Sequence, residues 1–331
     1  MCGLLTEGKN CARMDKKEAK TVKTVWLPSR RGDRIPCHDN WEGQSRVVIV
    51  CHGFGSSKES PMVQALHRAL PERGIGVWSF DFPAHGDSPM GQEGLRVPFC
   101  MDDLETVEAW IRTKSPQVEV CYFASSFGAY ITLLSLSRAP RNRPRAFLRS
   151  AAVTMPQLVA RWLTPQAQKD LERQGYFVPD YAYVREMRIT PAFLRDLWEY
   201  DLFSRYTPEL ASLFMVHGAL DEVVPVKDAR RFAETFGAQL RIFPQGEHPL
   251  MGNGELEAVL AWAADFFLGK ERGRQARKSK CSLEIHGDCR YNKNVLVCIF
   301  TMQRERKPCC SLTPWGGQGA PKGRGERKGM L

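Results

Sequence analysis

The sequence predicts an α/β protein built on a mostly parallel, doubly wound sheet. Short apolar runs of strand length alternate with segments of helical periodicity from about residue 21 to residue 269. The runs are bounded by glycine or turn residues, which is typical of buried parallel strands. Residues 155–210 break the alternation, because they are rich in aromatic residues, arginine and proline but hold no strand-length apolar run. We therefore expect helices on both faces of one sheet and an inserted cap over its carboxyl-terminal edge.

The individual elements follow from the periodicity of the apolar residues. Met101-Asp102-Asp103 offers an N-cap and acidic first-turn charge for one of the helices. The last helix carries leucine, valine, alanine and phenylalanine along one stripe, as a helix packed on a sheet should. The predicted strands are 21–27, 46–52, 76–82, 118–124, 146–153, 212–218 and 239–244, and the predicted helices are 62–70, 104–111, 127–137, 227–236 and 256–267.

Charge separates the chain into a neutral body and a basic end. The net charge of +10 arises in residues 270–331, which hold 15 Lys/Arg and 5 Asp/Glu, while residues 1–269 hold 32 of each sign. The basic end is rich in proline and glycine, so we expect a disordered tail. The positive charge of this tail would attract the phosphates of a nucleic acid. However, the tail lacks a pattern of aromatic residues interleaved with its basic residues and has no known nucleic-acid-binding module. Residues 1–20 are expected to form an N-terminal extension.

Cysteine usage and hydropathy bear on cofactors and compartment. There are eleven cysteines, but they form no CxxC pair and no Cys/His spacing that suits zinc. The N-terminus lacks an apolar segment of signal-peptide length, and no run approaches 18 apolar residues. We therefore expect a soluble cytoplasmic protein with no membrane span, no metal and no cofactor. The oligomeric state is left open.

A pair of serines in "EVCYFASSFGAY" lies between a predicted strand and a predicted helix. Ala124-Ser125-Ser126-Phe127-Gly128 fits the small–x–Ser–x–small pattern of a nucleophile elbow, with Ser126 as the nucleophile. Small residues are needed there because a sharp strand-to-helix turn brings backbone atoms close together. The alternative is that Ser126 is an ordinary helix N-cap.

A serine nucleophile needs a base, and the base needs a carboxylate. In this fold the three follow one another along the chain in the order serine, acid, histidine. Asp221 comes just after a predicted strand and is the favoured acid, with Glu222 as a fallback. Asp228 falls inside a predicted helix and is less suitable. His248 follows the last predicted strand, whereas His286 lies in the basic tail. Read separately, Asp221 could be a turn residue and His248 a loop histidine.

An oxyanion hole is predicted from the glycine-rich segment His52-Gly53-Phe54-Gly55, which directly follows a strand. Glycines there allow backbone N–H groups to face the site. The expected donors are the N–H of Phe54 and the N–H of Phe127, next to the nucleophile. Without Ser126 this segment would be read as an ordinary strand-to-helix turn.

Four motifs together resemble the α/β-hydrolase superfamily over about residues 21–269: "VCHGFGSSK", "FDFPAHGDS", "ASSFG", and "HGALDEVVP" followed by "GEHPL". The resemblance is strongest to the branch of cinnamoyl and feruloyl esterases, monoacylglycerol lipases and serine aminopeptidase-like enzymes. It implies the triad Ser126, Asp221 and His248 with oxyanion donors at Phe54 and Phe127. The family often has glycine at the positions of Ala124 and Ala129, where the side chains here are also small.

The expected activity is hydrolysis of small-molecule carboxylic esters through an acyl-enzyme. The aromatic cap suits an aromatic or fatty acyl group, and Trp162, Tyr181 and Trp198 are its candidate substrate contacts. The bland alternative is that these rings only pack the cap onto the sheet. Two other functions stay open, namely a peptidase or amidase of the serine aminopeptidase type and a non-catalytic binding protein on a hydrolase scaffold.

Overall fold

The computed structural model describes residues 22–181, 183–252 and 254–270. The expected N-terminal extension and the basic tail after Lys270, including His286, lie outside these residues. An open sheet of eight strands forms the centre of the described structure. Its strands are β1 (Lys23–Pro28), β2 (Arg34–Asn40), β3 (Arg46–Cys51), β4 (Gly76–Phe80), β5 (Glu119–Ser125), β6 (Arg145–Arg149), β7 (Ser212–Gly218) and β8 (Gln239–Phe243), in the spatial order β1-β2-β4-β3-β5-β6-β7-β8.

The strands from β3 to β8 run parallel, and only the β1–β2 and β2–β4 pairs are antiparallel. This confirms the predicted, mostly parallel sheet. Strand β2 was not predicted, because "RIPCHDN" carries charged ends and a proline and does not alternate. Pro36 lies opposite Trp26 of β1, and on its other side its carbonyl accepts the N–H of Asp81 at 3.0 Å. Proline is tolerated there because an acceptor needs no N–H of its own.

Helices cover both faces of the sheet, as predicted. They are α1 (Pro61–Ala69), α2 (Val97–Lys114), α3 (Phe127–Arg138), α4 (Met155–Ala160), α5 (Pro165–Gln174), α6 (Pro191–Glu199), α7 (Leu202–Arg205), α8 (Val226–Phe236) and α9 (Glu255–Phe267). Alternate residues of β3 face opposite sides, since successive side chains of a strand point to opposite faces. Val47 and Ile49 join the core beneath α2 and α3, whereas Val48 and Val50 join the core beneath α1 and α9.

The start of α2 differs from the prediction. The helix begins at Val97, and Met101-Asp102-Asp103 lies inside it, so the predicted N-cap is wrong. Proline in the first turn accounts for the earlier start, because the N–H that it lacks has no intrahelical acceptor there. Asp103 instead receives two hydrogen bonds from Arg31, at 2.8 and 2.9 Å. Its charge therefore serves a tertiary contact to the segment between β1 and β2.

Helices α4–α7 lie between β6 and β7, in the region predicted as the cap. The side chains of Thr164, Thr190 and Asp201 cap α5, α6 and α7 by accepting backbone N–H bonds. Arg96, just before α2, fastens α6 to the body with bonds of 2.6 and 2.7 Å to the buried Asp196. In the described ranges, no helix is both long and apolar enough for a membrane crossing.

Candidate active site

Ser126 occupies the sharp turn between β5 and α3. Its backbone has φ 50° and ψ −114°, a conformation that a residue with a side chain adopts only under strain. Two backbone hydrogen bonds hold the turn, from Ser126 N to Arg149 O at 2.9 Å and from Ala152 N to Ser126 O at 3.2 Å. Ser126 stands at the N-cap position of α3, but its hydroxyl makes no capping hydrogen bond. The geometry therefore fits the elbow rather than the N-cap alternative.

Gly128 shows why the elbow pattern requires small residues. A Cβ at this position would lie 2.4 Å from the carbonyl oxygen of Cys51 and 2.5 Å from that of His52. The first turn of α3 thus packs directly on the backbone at the end of β3. This close approach brings the residue after Ser126 next to the glycine-rich segment that follows β3.

Asp221 and His248 come together at the carboxyl edge of the sheet, although 27 positions separate them in the sequence. The His248 Nδ1–H donates to Asp221 Oδ2 at 2.8 Å. Gly218 allows the two loops to meet, because a Cβ there would lie 2.2 Å from the carbonyl oxygen of Gly246. Within the described residues, Ser126 Oγ makes no hydrogen bond to His248, a contact that is often long in enzymes without substrate.

The carboxylate of Asp221 has a full set of hydrogen-bond donors. Its Oδ1 accepts the N–H groups of Val223 and Val224 at 3.0 and 2.8 Å. Its Oδ2 accepts His248, and His217 Nε2 lies 3.2 Å from the same oxygen. Burial opposes the charge, but the bonds from both histidines hold the pKa of Asp221 below its ordinary value. The residue is therefore a carboxylate, not a carboxylic acid, at neutral pH.

The backbone of His248 is tied to the end of β6. Ser150 Oγ donates to the His248 carbonyl at 2.8 Å, and Arg149 donates to the carbonyls of His248 and Pro249. Arg149 also bonds Ser125 Oγ at 3.0 Å, so it links the elbow strand to the histidine loop. Burial lowers the pKa of Arg149 to about 10, and the nearby Asp221 charge opposes that shift. Sequence reasoning missed Arg149 and Ser150, because nothing in the pattern marks them.

The two predicted oxyanion donors, the N–H groups of Phe54 and Phe127, belong to the two segments that Gly128 brings together. Phe127 is the first residue of α3, so its N–H has no intrahelical acceptor. Phe54 lies in the loop after β3, and its ring is 5.7 Å from that of Phe127. In the described part of the chain neither N–H has an acceptor. Two free donors beside Ser126 can hold a developing negative charge.

Two buried histidines lie under this loop, and within the described part of the chain neither makes a hydrogen bond to a carboxylate. His52 accepts the N–H of Phe82 at Nε2 and lies 2.8 Å from Gly53 O at Nδ1, while His85 bonds Pro83 O at 2.9 Å. Burial lowers the pKa of His52 to about 4 and that of His85 to about 3. Both rings are therefore neutral at physiological pH.

The ring of Phe54 lies at the centre of an aromatic cluster formed by the cap and the body. A Cβ on the neighbouring Gly55 would lie 2.1 Å from the ring of Tyr183, so the cap lies directly against this loop. The rings that surround Phe54, with centroids at 5.5–6.1 Å, are His85, Phe127, Trp162, Tyr183 and Phe193.

The three candidate substrate contacts of the cap separate into two groups. The ring centroids of Trp162 and Phe54 are 5.6 Å apart, and those of Tyr181 and Trp162 are 5.8 Å apart. Tyr181 is 48% exposed. Trp198 lies on α6, is 59% exposed and makes no ring contact with other described residues. Trp162 and Tyr181 therefore form a row of rings from the surface to the ring of Phe54, and Trp198 is not part of it.

Comparison with protein families gives one match. A model of the serine aminopeptidase family, S33, matches residues 43–203, just under half of the chain. The matched span contains the elbow, the predicted oxyanion loop and most of the cap region, but neither Asp221 nor His248. No curated protein matches the chain significantly.

Solved structures share the fold at low sequence identity. A protein from Agrobacterium vitis that carries the general description of a hydrolase superimposes with TM-score 0.63 and 17% identity, over 75% of this chain and 100% of that one. Est1E of Butyrivibrio proteoclasticus, solved with ferulic acid, gives 0.61 and 18% over 74% and 98%. Mouse α/β-hydrolase domain-containing protein 10 gives 0.60 and 17% over 73% and 97%. The described residues therefore share the α/β-hydrolase fold of these structures.

Proposed function

We propose that this protein is a serine hydrolase that cleaves carboxylic esters through a triad of Ser126, His248 and Asp221. The observation that carries the proposal is the convergence at one sheet edge of a strained serine with an unused hydroxyl, two free amides and a histidine bound to a carboxylate. Each part has other uses in proteins, but acyl transfer uses them together.

The tautomer of His248 follows from its partner. A carboxylate only accepts, so the Nδ1 that faces Asp221 carries the proton and Nε2 carries a lone pair. Nε2 then takes the proton of Ser126 as Oγ attacks the ester carbonyl. The same nitrogen returns the proton to the leaving alcohol, which completes formation of the acyl-enzyme. Water, activated by Nε2, then attacks the acyl-enzyme and releases the acid.

The charge that develops on the carbonyl oxygen is held by the N–H groups of Phe54 and Phe127. The second donor also lies at the positive end of α3, which favours an anion there. Each donor contributes roughly 3–4 kcal/mol in comparable sites. The strained backbone of Ser126 keeps the hydroxyl oriented towards the site rather than towards the start of the helix.

Aromatic or other apolar acyl groups fit the surroundings of the amides best. The rings of Trp162 and Tyr183 border Phe54, so an acyl chain entering from the surface passes along ring faces and edges. Ferulic acid, the molecule solved with Est1E, is an aromatic acid and fits this description. The proposed substrate class is therefore a small-molecule ester of an apolar or aromatic acid.

Peptidase activity is the second candidate, because the matching family model is that of a serine aminopeptidase. An aminopeptidase needs a carboxylate for the α-amino group of its substrate. The buried carboxylate of the cap, Asp196, is already neutralised by Arg96 in a two-bond ion pair. Glu186 is paired with Arg188 at the surface. These two carboxylates are therefore already paired, which makes neither a ready partner for an α-amino group.

Labelling with a fluorophosphonate tests the proposal, because only an activated serine reacts with it. We expect the wild-type protein and Ser125→Ala to be labelled, and Ser126→Ala to remain unlabelled. Ser125 is the matched control, since it is the adjacent hydroxyl and it is bonded to Arg149. Labelling of Ser126→Ala at the wild-type rate would refute the assignment.

A substrate panel then distinguishes the two activities. It contains p-nitrophenyl esters of short and long acids, feruloyl esters and proline amides. We expect turnover of the esters, with aromatic or longer acyl groups preferred over acetyl. Cleavage of proline amides at higher kcat/KM than any ester would instead favour the aminopeptidase.

A further inference from the structure

His217 is a second histidine at the candidate triad acid. It lies on β7, four residues before Asp221, and its side chain is fully buried. Its Nε2 lies 3.2 Å from Asp221 Oδ2 and 2.9 Å from the carbonyl oxygen of Val224. The oxygen that receives His248 Nδ1 therefore also faces a second imidazole.

The neighbours of His217 determine its tautomer. A backbone carbonyl can only accept, so the Nε2 that faces Val224 O must carry the proton. The same proton is shared with Asp221 Oδ2. Nδ1 of His217 is buried and has no hydrogen-bond partner among the described residues. The ring thus donates to the carboxylate through Nε2 from a fully buried position.

We propose that His217 is a positioning residue that fixes the Asp221 carboxylate and limits how strongly this carboxylate binds the imidazolium of His248. The inference rests on the proposed triad. It extends the triad to a line of His217, Asp221, His248 and Ser126, in which only the last three would take part in the chemistry.

Loss of His217 should change the basicity of His248, because both histidines bind the same oxygen of Asp221. Besides the backbone N–H groups of Val223 and Val224, three side chains act on the Asp221 carboxylate: His217 from β7, His248 from the loop after β8, and the charge of Arg149 from the end of β6. A hydrogen bond from His217 spreads the negative charge of Oδ2, which leaves less of it for the His248 imidazolium. Loss of this bond therefore makes His248 a stronger base and also loosens the carboxylate.

Two variants separate these effects. His217→Leu removes the donor and keeps a similar volume, while His217→Gln keeps an N–H near the position of Nε2. We expect the acidic limb of the kcat/KM profile to move to higher pH by about 0.5 unit in His217→Leu, with a plateau about 10- to 100-fold lower. His217→Gln should keep the wild-type limb. An unchanged acidic limb in both variants would overturn the proposal, because a purely structural residue would lower the plateau alone.

A measurement on the wild-type protein covers the case in which His217→Leu does not fold. Nitrogen NMR of ¹⁵N-histidine-labelled protein, with the His217 signals assigned by their loss in His217→Gln, reports which ring nitrogen carries the proton. We expect Nε2 protonated and Nδ1 bare, and a proton on Nδ1 alone would overturn the inference. Fluorophosphonate labelling of the wild-type protein tests the triad separately, so a protein that is unreactive but shows the expected tautomer would refute the proposed function and retain the contact.

Discussion

Two pairs of histidines lie on opposite sides of Ser126 and differ in what surrounds them. His52 and His85, beneath the predicted oxyanion loop, are enclosed by aromatic rings and backbone groups. His217 and His248 both lie against the carboxylate of Asp221. For His52 and His85, burial is the largest influence on the pKa and lowers it in both. Their rings are therefore neutral and serve in packing.

The comparison shows that the partner, more than burial, decides what a histidine can do. A carboxylate on one ring nitrogen fixes the tautomer and stabilises the protonated form, which suits a base. The carbonyl partners of His52 and His85 favour the charged ring, but burial outweighs them and lowers both pKa values. His52 lies 3.9 Å from Asp81 Oδ1, but its Nε2 is occupied by the Phe82 N–H, so no proton faces that carboxylate.

The largest expected effect comes from removing the carboxylate charge of Asp221. Asp221→Asn should lower kcat by about 10⁴-fold, because an amide can donate to His248 and favour the wrong tautomer. The measurement is kcat on a p-nitrophenyl ester, with circular dichroism to verify folding. Retention of activity within tenfold of wild type would show that His248 does not depend on Asp221. The proposed difference between the two pairs of histidines would then be wrong.

The next effect concerns stability in acid and arises on the aromatic side. The folded-state pKa values of His52 and His85, about 4 and about 3, lie below the ordinary value of 6.5. The unfolded chain therefore binds protons between pH 6.5 and 4 that the folded chain does not, so stability is complete above pH 6.5 and declines as pH falls. We expect a loss of about 2 kcal/mol per histidine between pH 7 and pH 5. Urea unfolding at the two values measures it.

The variant His85→Phe measures how much of that pH dependence of stability is due to His85. The variant keeps a ring against Phe127, which stacks on His85 at 6.1 Å, and it removes a buried Nε2 that has no partner among the described residues. The pH 7 to pH 5 loss should shrink by about 2 kcal/mol relative to wild type. An unchanged dependence on pH would mean that His85 is not held neutral by its surroundings.

The smallest expected effect concerns the backbone of the histidine loop. Ser150→Ala removes one hydrogen bond to the His248 carbonyl, and Arg149 retains another. We expect a destabilisation of about 1 kcal/mol and a fall in kcat/KM of only a few fold. Ser137→Ala is a matched control, because it removes a comparable bond to a helix carbonyl away from the site. A larger loss of activity in Ser137→Ala than in Ser150→Ala would contradict the role of this contact.

Sequence patterns could predict the parts of the molecule that repeat a local rule. The parallel strands are short apolar runs, and Ser126 follows one of them in a pattern that a tight turn demands. Gly128 is explained by the carbonyls of Cys51 and His52, so the rule reflects a real steric limit. The fold prediction is confirmed by the observed sheet, while the roles of the triad residues stay predictions.

Other features depend on contacts that no local pattern records. Strand β2 forms because β1 and β4 supply partners on both edges, although its own sequence alternates poorly. Arg149 and His217 look like ordinary strand residues until the loops of Asp221 and His248 fold over them. The start of α2 was misplaced because Asp103 was read as a local cap, whereas it pairs with the distant Arg31.

The placement of Phe54 has a consequence for altering selectivity. One residue contributes its side chain to the ring cluster and, in the proposed mechanism, its backbone to the anion. A substitution that changes this ring acts directly beside the proposed donor, so preference and turnover are coupled at this position. Trp162 reaches the cluster from the cap, and it offers a place where the shape of the entrance can change while the amides stay still.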